Sequence, residues 1–316
     1  MGQAISFVTV EDRVPWLRAS VDAATRHDWA ALSQTLSSNS RDVDDLMVGI
    51  GVVVDAPIDG LDDWASELAQ TRPEDRLAAV FFAENLLALA WRRRSDQRAA
   101  NLSAEQISGF RQALLRLERY LLDQLADHPD EASLWATRIT SGMGLAVGPA
   151  EIARRYRHVA ALEPTMYEGA RRHLTALFPT WYGTDDDALS FVRSQATGAP
   201  QGSTMRALPV EYYAQRWRTE PDDQVKVLLA KPEVRQELVD AAQGSVLSPQ
   251  HAPSLRDLTI HSNLALLLSL GRWTADAWPH FQALGPYPVW GLWSTLRNPE
   301  EAYQHMFDAA QRGAQT

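Results

Sequence analysis

The chain contains no cysteine, which excludes disulfides, thiolate zinc sites, iron–sulfur clusters and a cysteine nucleophile. Lysine is nearly missing: Lys226 and Lys231 are its two occurrences, and the rest of the basic charge is arginine. That bias, with abundant alanine, points to a GC-rich bacterial genome. Basic charge is also outweighed, with 30 Lys and Arg against 40 Asp and Glu and a formal net charge of -10. A chain of that sign does not condense on phosphates by counterion release, so nucleic acid is not expected as a partner. Long apolar runs are missing as well. The most apolar stretch, Leu77 to Trp91, is shorter than a bilayer span and carries Glu84 and Asn85, so it reads as a buried core helix, and no membrane is expected as a partner. Residues Met1 to Val10 carry no positive charge and no secretory apolar run, which places the protein in the cytoplasm as an expectation. Met1-Gly2 followed by Ser6 fits the N-myristoylation pattern, a modification not expected in a bacterium.

Period-two alternation is scarce too. The one clear β-branched run is Val52-Val53-Val54, beside Gly49 and Gly51. The 316 residues, 45% of them hydrophobic, are enough for one large or two ordinary domains, and their dominant period is helical. An all-α architecture follows. Helices are expected over about 11–25, 73–94 and 103–126, the last with a stripe of Phe110, Leu114, Leu117, Leu121 and Leu125 and a capping box from Ser103 and Gln106. Further helices are expected over 130–141, 149–162, 165–177, 185–196, 204–218, 222–229, 232–242, 255–270, 274–284 and 299–311, joined by short polar loops. The pattern suggests an N-terminal helical segment with an irregular acidic stretch over 1–70, followed by a helical-repeat region over 71–316.

Internal spacing carries the repeat expectation. Leu264, Ala265 and Leu268 on one helix and Ala277, Phe281 and Leu284 on the next sit where two paired helices of a roughly 34-residue tetratricopeptide unit need large and small side chains. The segment from Glu131 to Pro164 fits the same ruler through Ile139, Met143, Ile152, Tyr156 and Val159, with Thr140 as the small residue and Pro164 closing the unit. Between these units the run Leu177-Phe178-Pro179-Thr180-Trp181-Tyr182-Gly183-Thr184, then Phe191-Val192-Arg193 and Ala199-Pro200-Gln201-Gly202-Ser203, resembles the signature of uncharacterised bacterial tetratricopeptide-like proteins. Thr180 stands for that signature's basic residue, Tyr182 for its first glycine, Thr184 for its serine and Val192 for its alanine. The resemblance covers roughly residues 126–284 and implies an α-solenoid of degenerate helical hairpins with no established activity. Physically, Pro179 ends a helix, Trp181 buries a ring under the turn, Gly183 permits a positive φ, and Thr184 caps a helix whose first turn holds Asp185 to Asp187.

Catalytic patterns are few. No two of the eight histidines lie one helical turn apart, and no G-x-S-x-G elbow occurs. Gly142, Gly144 and Gly148 follow no strand, so they make no dinucleotide fingerprint. Asp62, Asp63 and Glu67 resemble the first acidic motif of class I terpenoid synthases, which would bind a diphosphate through Mg²⁺. The second motif of those enzymes is not found, and the same acids read as a solvated helix start. No cofactor and no metal site is expected.

Interaction surfaces have more support. Eleven tryptophans and eight tyrosines supply rigid anchors for core or interface. Tyr212, Tyr213 and Trp217 interleave with Arg216 and Arg218, and Tyr287, Trp290 and Trp293 follow the last repeat as a cap or docking patch. Arginine clusters at 92–94, at 154, 155 and 157, and at 171 and 172 either hold acidic peptides or pair within their helices with Glu151 and Glu168. Helical-repeat arrays bind on the face shared by the first helices of successive pairs. By that analogy Arg138, His261 and Asn263 are groove candidates; Trp181, Arg193, Tyr213 and Trp217 complete the set expected to bind a partner protein or peptide.

Overall fold

A computed structural model describes residues 5–94 and 103–315; Met1-Gly2 lies outside the described residues. Among those described, the chain is all α, with seventeen helices and no strand beyond one parallel bridge between Val8 and Val289. In chain order they are α1 Val10–Arg13, α2 Pro15–Thr25, α3 Trp29–Asn39, α4 Val43–Asp55, α5 Leu61–Thr71 and α6 Arg76–Arg94. Then come α7 Ala104–Asp127, α8 Ala132–Leu145, α9 Pro149–Leu162, α10 Tyr167–Leu177, α11 Asp185–Gly198 and α12 Leu208–Thr219. The last are α13 Asp222–Leu229, α14 Pro232–Gly244, α15 Arg256–Leu270, α16 Thr274–Leu284 and α17 Pro299–Gly313. None among the described residues is long and apolar enough to cross a membrane.

The helices form two compact units, one from Val14 to Gly183, the other from Thr184 onward together with the segment that ends at Arg13. The boundary expected at residue 70 falls inside the first of these, where Trp64 of α5 meets Phe81 of α6 edge-on at 5.8 Å. In that unit α6 is buried on nearly every side from Ala78 to Leu87, Glu84 and Asn85 included, as a helix apolar on most of its circumference requires. From α6 to α10 each helix packs on its successor, and α6, α8 and α10 also pack on one another in turn. Two glycines of α8 set the closeness of these contacts. A Cβ on Gly142 would come within 2.7 Å of Arg155 Nη1 and 2.9 Å of Ile152 Cδ1, and one on Gly144 within 2.4 Å of Leu114 Cδ1. Close approach thus occurs at Gly142 and Gly144, inside the helix, while Thr140 is half-buried.

Helix α4 lies against α6 and α10. Its Asp44 carboxylate accepts the Tyr167 and Glu168 amides, at 2.8 and 2.7 Å, in the first turn of α10. The Val52–Val54 run belongs to this helix, with Val53 and Val54 buried; packing overrides β-branched propensity there. Val14 is extended, with φ -126°, and separates α1 from α2, because the ring of Pro15 disfavours a helical residue before it.

In the other unit α15 is central, buried from Ser262 to Leu268. It packs on α12, α13, α14, α16 and α17. Leu264, Ala265, Leu268, Ala277, Phe281 and Leu284, the residues chosen by repeat spacing, are all 2% exposed or less. Trp293 is fully buried, surrounded by the rings of Phe7, Phe281 and Tyr303 at 6.2, 6.2 and 5.0 Å. Ser6 and Val8 donate their amides to the Pro286 and Pro288 carbonyls at 3.1 and 3.0 Å, and Arg13 donates to the Leu284 and Tyr287 carbonyls. Trp293 is thus core, whereas Tyr287 and Trp290 keep 42% and 39% of their surface exposed.

Candidate functional site

The seven residues expected to bind a partner are distributed over both units. Arg138 on α8 is 6% exposed and donates through Nε and Nη2 to Glu118 of α7 at 3.3 and 3.1 Å. Glu118 also accepts from Arg155 Nη1 at 2.6 Å and from the Ser141 hydroxyl. Arg155 bonds Glu151 as well, at 2.9 Å. A second buried cluster joins Arg172 to Glu84 by two bonds of 2.9 and 2.8 Å and to Glu168 at 2.7 Å, with the Thr137 hydroxyl on Glu84 at 2.5 Å. Buried charge persists only when paired in this way. Arg154, Arg155, Arg171 and Arg172 therefore pair with neighbouring glutamates, the second of the two sequence-based alternatives.

Trp181 is half-buried, edge-on to Trp91 at 6.2 Å, in a turn closed by its amide bond to the Phe178 carbonyl at 2.9 Å. Gly183 beside it does not use the left-handed backbone. It is glycine because a Cβ would stand 2.2 Å from the Leu177 carbonyl oxygen. Thr184 and Asp187 form the expected capping box of α11.

Trp217 is 4% exposed and donates its indole N–H to the Thr295 hydroxyl at 2.8 Å. Asn263 is 2% exposed, and its Oδ1 has no partner among the described residues. His261 meets His280 through their Nδ1 atoms at 2.9 Å, a contact in which one ring donates and the other accepts. Burial pushes His261 down to about 4 and His280 well below the ordinary range, so both rings are neutral at pH 7. Arg138, Trp217, His261 and Asn263 thus lie in helix–helix contacts.

Arg193 and Tyr213 converge. Both reach Glu237 of α14: Arg193 through Nε and Nη2 at 2.7 and 2.9 Å, and the Tyr213 hydroxyl at 2.7 Å. The Tyr213 phenol is raised above its usual range, by burial first and then by its bond to Glu237. The bond to Glu237 likewise holds Arg193 in its charged form. Arg193 and Glu237 border a cleft of about 500 Å³ between α11 and α14, with Ala196, Thr197, Arg206, Pro209 and Ala241 in its lining, while Tyr213 stays buried behind Glu237. This volume falls in the range of ligand sites. Glu233, Glu237 and Asp240 stand at i, i+4 and i+7 on α14 and give that wall one acidic face. That spacing was readable in the sequence. The junction of Arg193 with Glu237, 44 residues apart, was not.

In the unit from Val14 to Gly183, a cavity of about 640 Å³ lies over Asp55, Asp59, Asp62, Asp63 and Arg92. Asp62 Oδ1 accepts from Asn85 Nδ2 at 3.0 Å and from Arg92 Nη2 at 3.5 Å. Asp55 is raised from its usual range, chiefly by burial, with Arg92 opposing. Glu67 is exposed one turn further along α5. Among the described residues no group of three His, Asp or Glu side chains is placed to hold a metal ion. No family, curated protein or solved structure matches the chain.

Proposed function

We propose that this protein is a bacterial, cytoplasmic helical-repeat scaffold of the tetratricopeptide-like kind that binds another protein or peptide, without catalytic activity of its own. The packing order of α6 to α10, each on its successor and alternate helices on each other, supports the repeat reading, since nearest-neighbour stacking is how such arrays are built. The observation that carries the binding reading is the cleft between α11 and α14, where Arg193 and Tyr213 both anchor on Glu237. An arginine held at the rim of a preformed cleft by a carboxylate that a buried tyrosine also fixes is a side chain of the kind that contributes most to binding energy in protein interfaces. A metal–diphosphate enzyme built on Asp62 and Asp63 has less support, because Asp62 is already engaged by Asn85 and Arg92.

The test is capture from a bacterial cytoplasmic extract, with the native chain beside Ala196→Trp, which fills the cleft from α11. A protein retained by the native chain and lost from the variant at unchanged melting temperature supports the reading. Identical capture by both overturns it. Addition of Mg²⁺ and diphosphate separates the enzyme alternative: a rise in melting temperature that disappears in Asp62→Asn, Asp63→Asn favours the enzyme.

A further inference from the structure

The cleft between α11 and α14 contains one arginine that the buried ion-pair networks do not explain. Arg206 precedes α12 and is half-buried. Its Nε donates to the Ala199 and Pro200 carbonyls at 3.0 and 3.1 Å. Its stem lies on Gly244, where a Cβ would come within 2.9 Å of Arg206 Cδ. The guanidinium is therefore fixed at one nitrogen and along its stem, while its two terminal nitrogens have no partner among the described residues. Arg193, by contrast, holds Glu237 through both Nε and Nη2. In the same lining, Glu233 has no bonding partner, and Asp240 has only the Gln236 amide at 2.8 Å.

We infer that this cleft binds a ligand with a carboxylate at one end and a basic group at the other: the C-terminal residue of a peptide ending in arginine or lysine. The inference rests on the binding function proposed above and names the chemistry of its ligand. Two observations point the same way. A guanidinium whose terminal N–H groups are free and whose orientation is preset is matched by a carboxylate that takes both at once. Glu233 and Asp240, two carboxylates without an ion-pair partner in the same lining, select a cation. Glu237 stays neutralised by Arg193 and positions the wall between the two carboxylates. A free basic amino acid carries the same two groups, so the probes must separate it from a peptide end.

The experiment is calorimetric titration of the full chain with four probes: acetyl-Ala-Ala-Ala-Arg with a free carboxyl terminus, its C-terminal amide, acetyl-Ala-Ala-Ala-Ala acid, and free arginine. The arginine-ended acid is expected to bind about tenfold or more tightly than its amide or the alanine-ended acid, since each control lacks one charged partner. Arg206→Gln, which keeps an amide donor near the two carbonyls, is expected to bind acid and amide equally. Glu233→Gln, Asp240→Asn is expected to keep the acid-over-amide preference and lose the preference for arginine. Affinity of free arginine equal to that of the peptide supports the same chemistry and identifies the amino acid as its source. The inference is overturned if acid and amide bind alike to the native chain, or if Arg206→Gln keeps the discrimination. It is also overturned if no probe binds below about 1 mM, about -4 kcal/mol; when Ala196→Trp nonetheless abolishes capture of a partner, the binding function stands and the ligand chemistry alone fails.

Discussion

Replacing His173 with phenylalanine should make the protein less sensitive to acid by an amount that follows from where the ring sits. His173 on α10 is 7% exposed and stacks on Tyr156 with ring centroids 4.5 Å apart. Burial lowers it from 6.5 to about 4, because a charged imidazolium loses its hydration there. In the unfolded chain the ring binds a proton as pH falls through about 6.5, whereas in the fold it stays neutral until about 4. The unfolded state therefore holds more protons in that window, and stability falls as pH falls. Between pH 7.5 and 5.0 the loss from this one group is about 2 kcal/mol, with a limiting slope near 1.4 kcal/mol per pH unit. Phenylalanine preserves the stack on Tyr156 and removes the proton. Urea unfolding at the two pH values, followed by circular dichroism, should show the native chain losing about 2 kcal/mol more than His173→Phe between them. Equal losses would refute the reasoning, since they would mean that His173 takes its proton without leaving its site.

Three further perturbations follow from contacts already described. Glu118→Ala leaves Arg138 and Arg155 buried without their shared carboxylate and should cost about 3–5 kcal/mol in urea unfolding, a large effect because an uncompensated buried charge remains. Asp44→Ala removes the acceptor of two amides at the start of α10 and should cost about 1–2 kcal/mol by the same assay, the usual size of a lost N-terminal cap. Gly183→Ala would put a methyl group 2.2 Å from the Leu177 carbonyl oxygen, so it should lower the melting temperature more than Gly109→Ala, where a Cβ meets nothing within 4 Å.

Helices whose signals are local were legible in the sequence. Ser103 and Gln106 announce the start of α7, and they make the reciprocal capping bonds there. Thr184 and Asp187 do the same for α11. The largely apolar stretch of α6, interrupted only by Glu84 and Asn85 between Leu77 and Trp91, likewise identified a buried helix. Between Thr25 and Pro73, however, α3 and α4 escaped notice and α5 was read only as a helix start at Asp62, Asp63 and Glu67, although each carried a usable sign. Asp28 caps α3 by accepting the Ala31 amide at 3.0 Å, and Trp29, Leu32 and Leu36 bury at helical spacing. Asp42 caps α4 by accepting the Asp45 amide at 2.9 Å. Leu61, Trp64, Ala65 and Leu68 form the buried stripe of α5. The glycines and valines of α4 obscured the period, because Gly49 reads as a breaker when its role is to admit Leu36, whose Cδ2 lies 2.8 Å from where a Cβ would be.

The candidate site was legible only in part, for a different reason. Arg193 and Tyr213 were chosen for their residue types, but Glu237, which unites them, lies on another helix, and nothing periodic links the two. Arg138 and Asn263 were placed on an open groove by analogy with helical repeats, and both are buried. Which face of a helix meets solvent depends on what packs across it. For Arg138 that was settled by Glu118 of α7 and Arg155 of α9, residues whose partnership no spacing rule exposes.

Site-specific photocrosslinking tests the central claim most directly. A benzophenone-bearing amino acid would be placed at Thr197, in the lining of the cleft, and in a second chain at Asp123, on the exposed side of α7. After illumination in a bacterial host, a binding function at the cleft predicts a discrete crosslinked partner from position 197, absent from position 123 and competed away by Ala196→Trp in the same chain. No crosslink at 197, or the same products from both positions, would contradict it.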